Sequence, residues 1–261
     1  MNYRVICCTP LLLTAMNLYA GSMGPVVEQT GFGGFYAGLG TGFTTIFSTD
    51  EYSIVRPGFG VIRTGIHKVT NSAVLFSGQA GYGVMLNQKT YLGGKGSIYY
   101  TPMENNNQIS FASSRGPNEL ASGHDNFVRS LKPIYNIDAV LGYEIFPNFL
   151  PFVEAGVSFA NVKHRFVLEG AITNLVTGTV SNYTGGATSD NYNTGYNIGI
   201  GANYQVHKNW IFSGELVYHD LGTNNLTIPN FTPDRRSATH YREEKNQAVS
   251  ILASVSYLIP S

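Results

Sequence analysis

The chain is short of charge. Asp, Glu, Lys and Arg make up 12% of its 261 residues and the formal net charge is zero, where a soluble domain typically carries about 25% charged residues. A water-borne globule with so few ions and no net charge has little to keep its copies apart. A nucleic-acid binder is excluded on the same ground, since it needs a basic excess to displace counterions. Disorder is excluded as well, because 13% aromatics with little charge is the reverse of a disordered composition. Cysteine is nearly absent: Cys7 and Cys8 are the only two, so this is not a disulfide-stapled module. Beyond the first 20 residues no apolar run approaches 18 residues, which excludes a membrane-spanning helix there. Helical periodicity is almost missing too.

The first 20 residues, MNYRVICCTPLLLTAMNLYA, stand apart. Arg4 precedes an apolar stretch from Val5 to Leu18, and Ala20 is followed by Gly21 and Ser22. This is the layout of a secretory signal peptide, with cleavage expected after Ala20. A membrane anchor is the alternative, but the stretch is short and broken by Pro10 and Asn17. Cleavage would remove both cysteines and Arg4, leaving residues 21–261 without a thiol and with one excess negative charge.

What the chain does have is alternation. From 192 to 206, Tyr192, Thr194, Tyr196, Ile198, Ile200, Ala202, Tyr204 and Val206 share one face, and Gly and Asn dominate the other. That period of two predicts a strand. Similar patterns predict strands at about 33–47, 73–86, 90–100, 132–145, 151–161, 210–218 and 247–259, eight in all. Short turns separate some of them, at Asn87-Gln88-Lys89, Pro147-Asn148 and His207-Lys208-Asn209. Long polar segments, about 48–72, 101–131, 162–191 and 219–246, separate the others. Connections this long are unusual inside a compact domain. Strict interleaving with tight turns puts all four at one end of an up-and-down barrel, outside the cell if the barrel spans an outer membrane. The expected fold is therefore all-β: a transmembrane up-and-down antiparallel β-barrel of eight strands.

Alternation alone does not separate inside from outside. A soluble lipocalin-like barrel would point its apolar face inward and show water a face rich in both charge signs. Here the polar face is Gly, Ser and Asn with scattered Glu, which suits the narrow interior of an eight-stranded barrel. The aromatic-rich face suits lipid with interfacial belts. Trp210, Phe146 and Phe149 lie beside short turns, and Tyr100, Phe159, Tyr192 and Tyr218 lie toward the long segments. In hydrocarbon an unpaired backbone amide costs several kcal/mol, so only a closed barrel can span as β-structure.

GFYAGLGTGF at 34–43, close behind the leader, resembles the first strand of opacity-type outer-membrane β-barrel proteins, relatives of the OmpA/OmpX transmembrane barrel. The final segment, SILASVSYLIPS, is similar to the C-terminal signal read by the outer-membrane insertion machinery, but ends in Ile-Pro-Ser where the family has a terminal aromatic. The resemblance implies a bacterial outer-membrane protein read by that machinery during assembly; unlike in full-length OmpA relatives, no periplasmic peptidoglycan-binding domain is expected after the barrel.

Candidate chemistry lies on two surfaces. The inward set holds Asp138, Glu144, Glu154 and Glu215, with Lys95, His219 and, at strand ends, Lys132 and Arg242 as bases. Buried carboxylates need partners, so Asp138, Glu144, Glu154, Glu215, Lys95 and His219 are expected to form a polar plug; a narrow ion path is the alternative. A porin-sized pore needs about 16 strands and is excluded. Nothing matches a serine-hydrolase elbow, a metal-ligand spacing or a nucleotide loop, so no cofactor, metal or catalytic residue is expected, although lipid-modifying enzymes exist on this architecture. Outside, Arg56, Arg63, Lys68, Arg115, Lys163, Arg165, Arg235, Arg236 and Lys245 fall in the long segments. Of these, Lys163, Arg165 and Lys245 are candidates for lipopolysaccharide phosphates. The reading is a monomeric, non-enzymatic barrel whose surface segments serve envelope structure, adhesion or another extracellular ligand, with a small-solute or ion channel, or a lipid-modifying enzyme, as the alternatives.

Overall fold

A computed structural model describes residues 31–56, 58, 60–228 and 239–259. The leader at 1–20 lies outside the described residues. The strands are β1 (Gly34–Arg56), β2 (Gly60–Met85), β3 (Thr90–Tyr100), β4 (Met103–Gly116), β5 (Glu119–Tyr143), β6 (Phe149–Asn174), β7 (Val180–His207), β8 (Trp210–Ile228) and β9 (Thr239–Ile259). All pairing is antiparallel, in the order β3-β2-β1-β9-β8-β7-β6-β5-β4, and β3 closes back onto β5.

β3 and β4 form one stave. β3 pairs with β5 from Tyr99 opposite Ile134 downward, and β4 pairs with the upper part of the same strand from Met103 opposite Leu131. The break falls at Thr101-Pro102, where proline has no N–H to give the ladder. Nine strands therefore make a ring of eight. Its stagger is visible in one row: Thr45 leads through Val249, Tyr218, Ile198, Ala155, Ala139 and Gly94 to Tyr82 on β2. Yet Thr45 itself pairs directly with Ser72 of β2. That offset is the shear a barrel with tilted strands requires.

The tight turns are built by local chemistry. Asn87 Oδ1 accepts the N–H groups of Lys89 and Thr90 at 2.9 and 2.6 Å. Asn148 takes a φ of 67°, a left-handed conformation Asn tolerates better than most residues. Asn209 Nδ2 donates to the Leu258 carbonyl at 2.8 Å, tying the β7–β8 turn to β9.

The segments 48–72, 101–131, 162–191 and 219–246, expected as loops, are mostly paired strand that carries the wall onward. Phe47 through Ile54 stay in register with β2, whose pairing runs on past a bulge to Arg56 opposite Gly60, and Lys163 through Thr173 stay in register with β7. The pairing of β7 with β8 ends at Tyr196 opposite Asp220, and that of β2 with β3 at Phe76 opposite Tyr100. Above those points the wall divides into two four-stranded sheets, β4-β5-β6-β7 and β8-β9-β1-β2. The extension escaped the sequence pattern because a sheet with water on its outer face has no need of an apolar alternate row.

The outward face of the lower part is apolar. Phe35, Tyr82, Tyr143, Tyr204, Trp210, Phe212 and Tyr257 are exposed near the tight turns, and Phe43, Phe47, Phe76, Tyr100, Tyr135, Phe159 and Tyr196 near the upper limit. Between these belts the outward positions are Ala, Val, Leu, Ile, Gly, Thr and Pro. An uncharged aliphatic surface bounded by two aromatic rows is the exterior of a membrane barrel.

Candidate functional site

The lumen is stacked in layers, and β6 alone reads the stack from the turn end upward: Leu150 and Phe152, then Glu154, then Ser158, then Ala160 and Val162, then His164. Every one of these side chains is buried. At the bottom, Leu150 and Phe152 join Phe32, Tyr91, Val140, Ile211 and Leu258, with Tyr36 and Met85 packed against them.

The ion tier lies directly above. Lys95 Nζ is 2.5 Å from Glu154 Oε2 and donates to Glu215 Oε2 at 3.0 Å, with all three side chains almost fully enclosed. Asp138 stands opposite Lys95 in the β3–β5 register, and the Lys95 ammonium lies 5.9 Å from the Phe152 ring centre. Glycine makes the room. Asp138 faces Gly156, Glu154 faces Gly199, Glu215 faces Gly201 and Lys95 faces Gly81 across the neighbouring strand. A Cβ on Gly199 would lie 2.8 Å from Glu154 Oε1, so the carboxylate occupies the space a side chain there would fill.

An amide and hydroxyl tier follows. Asn136 Nδ2 donates to Ser97 Oγ at 3.1 Å, Ser158 Oγ to Asn136 Oδ1 at 2.7 Å, and Asn197 Nδ2 to Ser158 Oγ at 3.0 Å. His219 is wholly buried. Its Nδ1 is 3.2 Å from Ser158 Oγ, and its ring meets the edge of Tyr99 with centroids 5.5 Å apart. Around and above this tier a second apolar layer includes Ile46, Leu75, Ile134, Val162, Val217, Leu221 and Leu252.

Five of the six residues expected in the polar plug thus enter the lumen. Lys95, Glu154 and Glu215 form the cluster, Asp138 adjoins it, and His219 sits one tier up, partnered by Ser158. Glu144 does not join them. It lies at the β5–β6 turn, where Glu144 Oε1 accepts the Asn148 N–H at 2.9 Å, because the strand ends before its side chain reaches the interior. The Lys132 side chain lies outside the described set.

Where the two sheets face each other there is a second polar cluster. Arg242 Nε donates to Asp50 Oδ1 at 3.1 Å and its Nη2 pairs with Asp50 Oδ2. His164 Nδ1 of one sheet is 3.2 Å from Glu244 Oε2 of the other, and Asn224 and Leu226 complete a small cavity there. Burial pushes the Arg242 guanidinium down to about 10, so it stays cationic at neutral pH. Asp50, His164 and Glu244 were missed because they fall in segments read as loops. The signal was available: Ser250, Ala248, Asn246, Glu244 and Arg242 continue the inward parity of β9 without a break.

On the outer face, Lys163 and Arg165 are exposed two positions apart on β6, just above Phe159. Lys245 lies three strands away on β9 with its ammonium 3.7 Å from Asp220 Oδ2. Lys68 is level with it, since Thr49 pairs with both. Arg235 and Arg236 lie outside the described residues, as do the side chains of Arg56, Arg63 and Arg115.

Residues 9–234 match the family model of the outer membrane protein beta-barrel domain. Over 90 residues the chain is 30% identical to the 31 kDa outer-membrane immunogenic proteins of Brucella melitensis and Brucella suis, a stretch covering 34% of this chain and 33% of each relative. The chain thus spans about a third of the length of the curated relatives it matches. Among solved structures it is similar to the outer membrane protein OprG of Pseudomonas aeruginosa (10% identity, 88% of this chain and 97% of that one, TM-score 0.48). It is also similar to Ail, the attachment invasion locus protein of Yersinia pestis (10% identity, 84% and 99%, TM-score 0.31).

Proposed function

This chain belongs to the outer membrane protein beta-barrel domain family and is a protein of the bacterial outer membrane; from that premise we propose that it is a closed, non-enzymatic barrel whose work is done by the two sheets it presents to the cell exterior. The stack along β6 carries this reading: two apolar layers with the buried Lys95, Glu154 and Glu215 cluster between them leave a solute nothing to follow. An eight-stranded interior has room for side chains and little else. Enzymatic use of the interior is disfavoured by the same burial, since His219 and the three carboxylates are enclosed away from any substrate. The sheets, in contrast, rise well clear of the aromatic belt and are the part a partner can reach. Purified protein reconstituted in a planar bilayer is expected to give no conductance steps above background. Reproducible unitary steps would replace this reading with that of a small-solute channel.

The outward cations fit a second partner, the phosphates of lipopolysaccharide. Lys163 and Arg165 stand two and four positions above Asn161, just past Phe159, the level at which outer-leaflet headgroups begin, and Lys and Arg are strong phosphate partners. Lys245 is already engaged by Asp220. The K163A/R165A variant is therefore expected to lose most of the lipopolysaccharide that co-purifies with wild type, and K245A a smaller share. Equal retention in all three proteins would refute the contact.

A further inference from the structure

The outer face of the sheet β8-β9-β1-β2 sorts its charge by height. Lys68, Thr49, Lys245 and Thr223 lie abreast across β2, β1, β9 and β8, with Thr49 two residues above Phe47 of the aromatic belt. Two residues further out, Ile66, Glu51, Glu243 and Asn225 form the next outward row, and Thr64, Ser53, Tyr241 and Thr227 the one beyond it. Ammonium groups therefore stand near the bilayer and carboxylates one strand repeat above them.

Glu51 and Glu243 are direct partners on neighbouring strands, and both are exposed. Like charges placed opposite each other destabilise a sheet. Neither carboxylate has a hydrogen-bond or ion-pair partner among the described residues, whereas Glu169 is met by His124 and Asp220 by Lys245. A depression of about 510 Å³ lies over the same rows, with Glu51, Ser53, Ile66, Tyr241 and Glu243 in its lining. No described residue of the facing sheet lines it, so it opens on the outer surface. Its volume falls within the range of small-ligand sites, roughly 300–1,000 Å³. Tyr241, exposed one repeat above Glu243, adds an aromatic ring, a second kind of side chain that attracts an organic cation.

We propose that this face docks a phosphoethanolamine group carried on lipopolysaccharide, its phosphate held by Lys68 and Lys245 and its ammonium by Glu51 and Glu243. The inference rests on the lipopolysaccharide contact proposed above and names the chemistry of one bound group. A bare phosphate suits the lysine row but meets two carboxylates immediately above it. A bare amine suits the carboxylates and leaves the lysines unused. Phosphoethanolamine satisfies both rows in the right order, because its phosphate is attached to the lipid and its ammonium extends outward on a two-carbon link. The rows are about 7 Å apart, two residues at roughly 3.3 Å each, a span that the link and a salt bridge at each end cover. Lys245 is shared with Asp220, so Lys68, which has no partner among the described residues, is the main phosphate ligand.

The test is native mass spectrometry of the full barrel in detergent and EDTA, given lipid A with and without phosphoethanolamine at equal concentration. Wild type is expected to retain the phosphoethanolamine form about fivefold better, the discrimination that exposed ion pairs supply. E51Q/E243Q removes the charge and keeps the shape. It should abolish the preference without weakening unmodified lipid A, and it should keep the folded, unboiled gel mobility because it relieves a like-charge pair. K68A should weaken both forms. Equal retention of the two forms by wild type, an unchanged preference in E51Q/E243Q, unchanged retention in K68A, or a preference that appears only with added Mg²⁺ overturns the proposal. So does displacement of the bound form by phosphatidylethanolamine at the same concentration, which would assign the face to phospholipid. Binding of both forms without preference would defeat this inference and leave the phosphate contact at Lys163 and Arg165 standing, whereas binding of neither would defeat both.

Discussion

Replacing Lys95 with methionine is expected to destabilise the barrel by about 3–5 kcal/mol, the cost of stripping the partner from a buried charge. The substitution preserves the aliphatic stem against Phe152, so what is lost is the ammonium. Glu154 and Glu215 are then left facing each other in an enclosed tier, with Asp138 alongside. Neither can swing to water, because apolar layers lie below and above. The readout is the midpoint for loss of the fast-migrating unboiled band, or a denaturant midpoint in vesicles. The triple variant K95M/E154Q/E215Q should recover much of the loss, since neutral amides can hydrogen-bond to one another and apolar or neutral replacements for a buried ion cluster are often close to neutral. If K95M unfolds like wild type, the tier is wet and the sealed-lumen argument fails with it.

The ion tier also shows how far the sequence carries. Asp138, Glu154 and Glu215 each fall on the small-residue side of an alternating run, and that side is inward because a lipid-facing carboxylate in the span would be prohibitively costly. Their glycine neighbours are equally legible, but the match of Glu154 to Gly199 and Asp138 to Gly156 is a fact of register that no single strand contains. Glu144 went astray because parity says which face a residue is on and nothing about where the strand stops. The upper sheets were invisible for a different reason. In the stretch 181–191, SNYTGGATSDN, neither parity class is apolar, so the only cue that it pairs is the partner itself. The cluster of Asp50, His164, Arg242 and Glu244 is drawn from four positions in three strands, each charged for a reason that appears only once two sheets face each other.

Introducing arginine at Ile200 and at Thr184 separates the two parts of one strand. Both side chains project outward from β7 and both are exposed. Ile200 lies midway between Tyr196 and Tyr204, while Thr184 lies in the upper sheet opposite Glu169. At Ile200 the guanidinium would meet acyl chains near the bilayer midplane, where such a charge costs a barrel about 2–4 kcal/mol. At Thr184 it meets water and a carboxylate on the adjacent strand, an exposed pair worth about 0–1 kcal/mol. I200R is therefore expected to shift the equilibrium unfolding midpoint in phospholipid vesicles strongly downward, and T184R to leave it within error of wild type. Strand propensity cannot account for such a split, because one substitution type on one face of one strand is being compared with itself. Equal midpoints would mean that the row of Tyr196, Ile198, Ile200 and Tyr204 does not face hydrocarbon. The inward assignment of Glu154 and Glu215, which rests on the opposite parity, would then lose its basis.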